Sequence, residues 1–89
     1  MYKFNSKKIS NNPGVYLFKD EKSNIIYVGK AKNLRHRVSS YFIKNNDRLY
    51  KKHLIVDSID DIETIITNSE KEALILESNL IKKYRPKYN

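Results

Sequence analysis

Two strand-like segments near the N-terminus constrain the fold more than any other feature of the chain. Val15–Phe18 and Ile25–Val28 are rich in β-branched and aromatic residues, which favour strands. Residues 20–24 between them are polar and have the length of a hairpin turn. The pattern therefore predicts an antiparallel hairpin over about residues 14–29.

The hairpin carries two tripeptides that read almost as mirror images, Gly14-Val15-Tyr16 and Tyr27-Val28-Gly29. On an antiparallel hairpin we expect the two tyrosines to lie near each other at the sheet surface. Gly29 is expected to let the chain leave the second strand tightly and to approach a ligand closely. This end of the hairpin is therefore predicted to face a ligand.

The rest of the chain predicts one small domain over residues 1–89. A polar lead-in over residues 1–12 ends at an Asn-Pro-Gly turn. Four later segments have the pattern of regular structure: helices at about 32–42 and 47–56, a strand at about 62–67, and a helix from the capping box of Ser69 and Glu72 to about Lys83. The order predicts an α+β fold, a three-stranded, mostly antiparallel sheet flanked by helices.

Basic residues outnumber acidic ones and are unevenly distributed. The 89 residues include 18 Lys and Arg against 10 Asp and Glu, a net charge of +8. Six of the ten acids lie between positions 57 and 72, whereas 30–56 holds eight Lys or Arg and one acid. Such a one-sided field predicts a polyanionic partner such as a phosphate backbone; the plainer alternative is a lysine-rich composition that keeps a small protein soluble.

The composition also excludes several classes of protein. Without cysteine the chain has neither disulfides nor thiolate metal ligands, which suits the cytoplasm. No apolar run approaches a membrane span, and the N-terminus lacks the apolar core of a signal peptide. His36 and His53 fit no zinc motif, and no P-loop or dinucleotide fingerprint is present. We expect a soluble, cytoplasmic domain with no membrane partner.

Glu77 is an acid on an otherwise apolar helix face. Its nearest helical neighbours are all apolar: Ala73, Leu74, Leu80 and Ile81. A carboxylate beside that stripe costs free energy unless something compensates. Glu77 turning to solvent or pairing with a lysine is the plain interpretation. Given the tyrosine pair and the basic helix, we favour a lone carboxylate ligand for a hard divalent cation such as Mg²⁺.

The first predicted helix brings a cation to the border of the core. At about 100° per residue, Lys30, Arg37 and Tyr41 fall within one sector that overlaps the apolar face, whereas Arg35 and His36 are expected to point elsewhere. A guanidinium held at that border suits phosphate binding through two donors. A solvated basic helix is the alternative.

Three tyrosines are candidates for chemistry, although each also suits packing with a wet hydroxyl. They are Tyr16, Tyr27 and Tyr41. A phenol with an ordinary pKa of about 10 is a poor base at neutral pH unless cations stabilise the phenolate. Lys30 and Arg37 would supply that positive surrounding, and the residues alone leave both interpretations open.

The chain resembles the GIY-YIG nuclease family, in the branch that acts in bacterial nucleotide excision repair. The resemblance covers nearly the whole chain and has valine in place of isoleucine in both tripeptides. It is carried by the residues of four segments, 13–18, 26–34, 37–42 and 72–89.

The resemblance implies a role for each matching position. Glu77 would bind the metal, Arg37 the phosphate, and Tyr27 would be the general base. The supporting active-site positions would be Tyr16, Lys30, Tyr41 and Asn89. We expect DNA contacts from the basic residues that follow the hairpin: Lys30, Lys32, Arg35 and Arg37.

The resemblance further implies hydrolysis of a DNA phosphodiester with one Mg²⁺ or Mn²⁺ ion. The cut would fall on the 3′ side of a lesion in double-stranded DNA, where the helicase-like subunit of the excinuclease is already bound. The domain would be monomeric and the N-terminal part of a longer protein. Two alternatives stay open: a stand-alone, structure-specific endonuclease of the same family, and a non-catalytic, basic nucleic-acid-binding module.

Overall fold

The computed structural model describes residues 2–43 and 50–89. A 3-10 turn precedes three strands and three helices, whose bounds are Ser6–Lys8 for the turn, Gly14–Lys19 for β1, Ile25–Ala31 for β2, Leu34–Phe42 for α1, Tyr50–Ser58 for α2, Asp61–Ile66 for β3 and Glu70–Tyr84 for α3. The predicted α+β class and the β-β-α-α-β-α order are confirmed. Of the second predicted helix, residues 47–49 lie outside the described residues, and α2 ends two residues later than predicted.

β1 is the central strand of an antiparallel sheet with the order β2-β1-β3. Because successive side chains of a strand point to opposite faces, Tyr16 and Phe18 pack on one face and Val15 and Leu17 on the other. Residues of α1 and α2 cover the first face, and residues of α3 cover the second. The sheet therefore lies between two helical layers, which buries β1 on both sides.

The second half of the hairpin differs from the prediction. β2 continues through Ala31, which pairs with Gly14, so the expectation that the chain leaves the strand at Gly29 is wrong. The tyrosine rings of positions 16 and 27 are neighbours, with centroids 6.1 Å apart. Tyr16, however, is only 1% exposed and does not lie at the surface, because the α1 layer covers it.

Gly29 is required for a steric reason. It lies opposite Tyr16 in the register of β1 and β2, and a Cβ atom at this position would overlap the Tyr16 ring. The ring packs on the rings of Phe18 and Tyr41, so moving it would disturb the buried core. The absence of a side chain at Gly29 therefore lets the tyrosine lie flat across β2.

The N-terminal segment is more than the predicted polar lead-in. Ile9 is buried in the core beneath α1 and α2, and the Phe4 ring stacks on Phe42 with centroids 4.5 Å apart. Single apolar residues in a polar segment show no periodicity, so the sequence pattern does not reveal this packing.

The helix that carries Glu77 has well-defined ends. The Ser69 side chain accepts a hydrogen bond from the Glu72 N–H, as the capping box predicts. After Tyr84, Arg85 adopts a left-handed conformation (φ 44°) and donates its N–H to the Ile81 carbonyl. Within the described ranges, no helix has the length and apolar character needed to cross a membrane.

We predict that Gly29→Ala lowers the free energy of unfolding by about 1–3 kcal/mol, because the added methyl group overpacks the Tyr16 ring. Urea unfolding of both proteins measures the difference. In a Tyr16→Leu background the same change should cost much less, since leucine does not reach the position of the outer ring atoms. An equal cost in both backgrounds would contradict the steric explanation.

Candidate active site

One pocket opens between the end of β2, the start of α1 and the middle of α3. Tyr27, Arg37 and Glu77, which the hydrolytic hypothesis requires to converge, all line it. Tyr16, Lys30 and Lys32 also contribute to the lining. The cavity has a volume of about 520 Å³. It therefore has room for a phosphodiester and several waters, since a water occupies about 30 Å³ in the liquid.

The carboxylate of Glu77 is oriented by the backbone of β2. Its Oε2 accepts a hydrogen bond of 2.9 Å from the Lys30 N–H. Leu76, Leu80 and Ile81 pack α3 against the sheet, and this packing turns the half-buried Glu77 toward the strand. The hydrogen bond offsets part of the cost of placing a carboxylate at the edge of an apolar face.

The environment of Glu77 suits a hard divalent cation. One carboxylate oxygen is held by Lys30, and no described residue donates a hydrogen bond to the other. The described residues contain no cluster of three or more His, Cys, Asp or Glu side chains that could hold a metal ion. Mg²⁺ is commonly held by one or two carboxylates together with waters and substrate phosphate, so a single glutamate in an open pocket fits this ion.

Asn89 lies outside the pocket, at the same edge of β2. Its side-chain amide accepts a hydrogen bond from the Val28 N–H and donates one to the Val28 carbonyl, both at 2.8 Å. The Tyr88 N–H bonds to the Ile26 carbonyl. These contacts attach the last residues of the chain along the edge of β2, next to the point where Glu77 binds Lys30.

The three candidate tyrosines form one cluster with different exposures. The hydroxyls of Tyr16 and Tyr41 are hydrogen-bonded at 2.9 Å in a buried position. Tyr27 is only half-buried, and its ring lies 6.1 Å from Tyr16 and 6.3 Å from Tyr41. Of the three, Tyr27 is therefore the phenol most open to a ligand in the pocket.

Burial dominates the protonation of this cluster. The pKa of Tyr27 is raised to about 12, mainly by desolvation and then by the neighbouring Tyr41 and Glu77, whereas the Arg37 guanidinium lowers it. Desolvation also raises the pKa of Tyr16 and of Tyr41. All three phenols are therefore protonated at neutral pH.

The basic side chains near the pocket differ in what they contact. Arg37 is an exposed residue whose guanidinium lies 5.9 Å from the centre of the Tyr41 ring, and a side-chain hydrogen bond with Tyr16 raises its pKa. The Lys30 ammonium is 3.6 Å from the Glu70 carboxylate, while Lys32 is exposed at the pocket wall. Arg35 lies outside the pocket, as expected, and its Nε donates to the Ile9 carbonyl at 2.8 Å.

His36 and Asn33 line the pocket although the sequence analysis did not include them among the site residues. The expectation that His36 points elsewhere is wrong. Asn33 caps α1 by accepting a hydrogen bond from the His36 N–H at 3.1 Å. An asparagine just before a helix is a recognisable capping signal, and it would have placed His36 in the first turn, beside the end of β2.

Comparison with known proteins places this site in a family. The model of the UvrC-like GIY-YIG domain matches residues 12–89. The UvrABC system protein C of Carboxydothermus hydrogenoformans is 58% identical over 83 residues, which cover 93% of this chain and 14% of the relative. The same protein of Chlamydia muridarum is 52% identical over 86 residues, covering 97% of this chain. The chain thus spans 14% of the length of these relatives.

A solved structure agrees with this placement. The GIY-YIG N-terminal endonuclease domain of UvrC from Thermotoga maritima, crystallised with its catalytic divalent cation, magnesium, is 46% identical. The TM-score is 0.84, and the alignment covers 99% of both chains. The similarity therefore extends over the whole described fold, including the strands and helices that form the pocket.

We predict that Tyr27 makes the stability of the fold decrease between about pH 10 and pH 12. An unfolded tyrosine has a pKa of about 10, so in this window the unfolded chain loses a proton that the folded chain keeps. Rising pH therefore favours the unfolded state. Urea unfolding at pH 9 to 12 should show a smaller decrease for Tyr27→Phe than for wild type. The exposed Tyr84→Phe is the control, and identical curves for both variants would disprove the assignment.

Proposed function

Because this chain belongs to the UvrC-like GIY-YIG domain family, a family of endonuclease domains, we propose that it hydrolyses a phosphodiester of damaged DNA in nucleotide excision repair. The observation that carries the proposal is the convergence of Tyr27, Arg37 and Glu77 on one pocket. A base, a cation and a metal-binding carboxylate are the groups that metal-assisted phosphodiester hydrolysis requires.

Glu77 would hold the divalent cation, since its Oε2 is fixed by Lys30 and no described residue donates a hydrogen bond to its other oxygen. When bound, the cation supplies positive charge that stabilises the leaving oxygen and the phosphate. Mg²⁺ is the favoured ion, because the Thermotoga maritima relative was crystallised with it. Mn²⁺ has the same preference for oxygen ligands and is expected to replace it.

Arg37 would bind the scissile phosphate. Its guanidinium is exposed at the pocket, and a planar fork of donors matches two phosphate oxygens. Lys30 adds a second positive charge at the same pocket, although its ammonium also pairs with Glu70. Both cations would stabilise the negative charge that develops on the phosphate during attack.

Tyr27 is the proposed general base. As its phenolate, it would take a proton from the attacking water while the bond between phosphorus and the leaving oxygen breaks. The buried Tyr16 and Tyr41 are bonded to each other, which leaves Tyr27 as the accessible phenol. We propose that these two residues, together with Asn89, position the site and do not transfer protons.

The wider role rests on the longer relatives. Since this chain corresponds to 14% of their length, we propose that residues 1–89 are the N-terminal nuclease domain of a longer repair protein. Its substrate would be damaged duplex DNA, presented by the helicase-like subunit of the excinuclease and cut on the 3′ side of the lesion. A monomeric domain acting on chromosomal DNA in the cytoplasm fits this role.

We predict that Glu77→Gln reduces Mg²⁺-dependent cutting by about 100-fold or more, because it removes the charge that binds the cation. Glutamine still offers an oxygen to the Lys30 N–H, so the fold should persist. The measurement is cleavage of an end-labelled duplex carrying one lesion, with the helicase-like excinuclease protein present and with Mg²⁺, Mn²⁺ or EDTA.

Glu63→Gln is the matched control for this experiment. Glu63 lies on β3, at the opposite edge of the sheet, where its carboxylate pairs with Lys19. The Glu63→Gln variant should cut like wild type, and EDTA should abolish the cutting by wild type and by Glu63→Gln. Equal rates for the Glu77 and Glu63 variants would refute the assignment of Glu77 as the metal ligand.

A further inference from the structure

A second basic cavity adjoins the candidate active site on the side of α2. It is lined by Tyr27, Arg37, Tyr41, Lys51, Lys52 and Ile55. Tyr27 and Arg37 line both cavities, so the two are neighbours that share a wall. Among the described residues that line the second cavity none is acidic, and three of them carry a positive charge.

The two cations nearest Tyr41 are arranged around its ring. The Lys52 ammonium lies 4.7 Å from the ring centre and the Arg37 guanidinium 5.9 Å from it. Both distances are within the range of a cation–π contact. The ring is itself fixed, because its hydroxyl is hydrogen-bonded to the buried Tyr16.

The lysines of this cavity have a rigid support. They stand on α2, whose Ile55 is 3% exposed and packs in the core, and Ile59 just after the helix is 4% exposed. Lys51 is exposed to solvent on the same helix. A pair of lysines on an anchored helix loses less conformational freedom on binding an anion than a pair on a loop does.

The chemistry of this cavity matches a phosphate of a nucleic acid strand. If Arg37 binds the scissile phosphate, the next phosphate of the same strand lies one nucleotide away, a rise of about 3.4 Å along the duplex. The second cavity shares Arg37 with the candidate active site and adds Lys51 and Lys52 to the positive surface. Lysines that serve only solubility are not expected to lie beside the candidate active site in particular.

We propose that Lys51 and Lys52 form a second phosphate subsite, which binds the strand being cut beside the scissile phosphate. The inference rests on the proposed function, because it takes Arg37 as the contact of the scissile phosphate. It assigns to α2 a role in holding the DNA strand in register with the catalytic pocket.

The test compares two double variants with the same change in charge. Lys51→Gln/Lys52→Gln removes the subsite, whereas Lys82→Gln/Lys83→Gln removes two adjacent lysines of α3, on the other face of the sheet. Binding of a fluorescein-labelled duplex is measured by anisotropy in EDTA, so that no DNA is cut, between about 50 and 200 mM salt.

We predict that the α2 double variant binds the duplex about 10-fold more weakly near 0.1 M salt. The slope of log K against log salt should become shallower by about 1, because the loss of one phosphate contact accounts for about 0.9. The α3 double variant should retain the wild-type slope. Lys51→Gln alone should give about half the change, and it leaves the contact of Lys52 with Tyr41 in place.

A duplex with a neutral methylphosphonate at one position identifies the phosphate. At one position adjacent to the cut, this substitution should weaken binding of wild type but not of the α2 double variant. Equal losses for both double variants, or an α2 variant that binds like wild type, would overturn the subsite. Cutting by wild type in Mg²⁺ is measured separately. If the α2 double variant loses affinity as predicted but wild type never cuts, the proposed function is overturned, and Lys51 and Lys52 remain a DNA contact without a scissile phosphate beside it.

Discussion

The packing of the Tyr16 ring across Gly29 determines the geometry of the site. Because β2 has no side chain at this position, the ring lies flat on the strand, and its hydroxyl reaches Tyr41 of α1. The same contact sets α1 close to the end of β2, so that Arg37 faces the pocket beside Tyr27. A side chain at position 29 would push the ring outward and separate α1 from β2. Arg37 lies on α1 and Tyr27 on β2, so the two residues would move apart.

The outer edge of β2 explains how a single acid on α3 is held in place. An edge strand presents unpaired N–H and C=O groups, and in this chain three residues from the C-terminal third satisfy them: Tyr88, Asn89 and Glu77. The carboxylate thus takes the place of a strand partner at Lys30. The hydrogen bond that completes the edge of β2 also fixes one carboxylate oxygen of Glu77. No described residue donates a hydrogen bond to the other oxygen.

The sequence was sufficient for features whose causes are local. The capping box of Ser69 predicted the start of α3, and the β-branched residues predicted the strands. The apolar neighbours of Glu77 marked this acid as a candidate site residue. All of these signals depend on residues only a few positions apart. The partner of Glu77 was not predictable, since the Lys30 N–H lies 47 positions away and is chosen by the packing of α3 on β2. Burial of Ile9 likewise depends on tertiary contacts alone.

The protonation of Tyr27 shows how the charges of the pocket must act together. With a pKa of about 12, about one phenol in 10⁵ is ionised at pH 7, because the pKa exceeds the pH by about 5 units. Burial therefore outweighs the effect of Arg37, and the phenol is a donor. The proposed role of Tyr27 as a base requires further positive charge nearby, and Glu77, the proposed ligand of the divalent cation, lines the same pocket. A cation held by Glu77 would supply the charge that lowers the pKa of the phenol, because the effect of Arg37 alone does not outweigh burial.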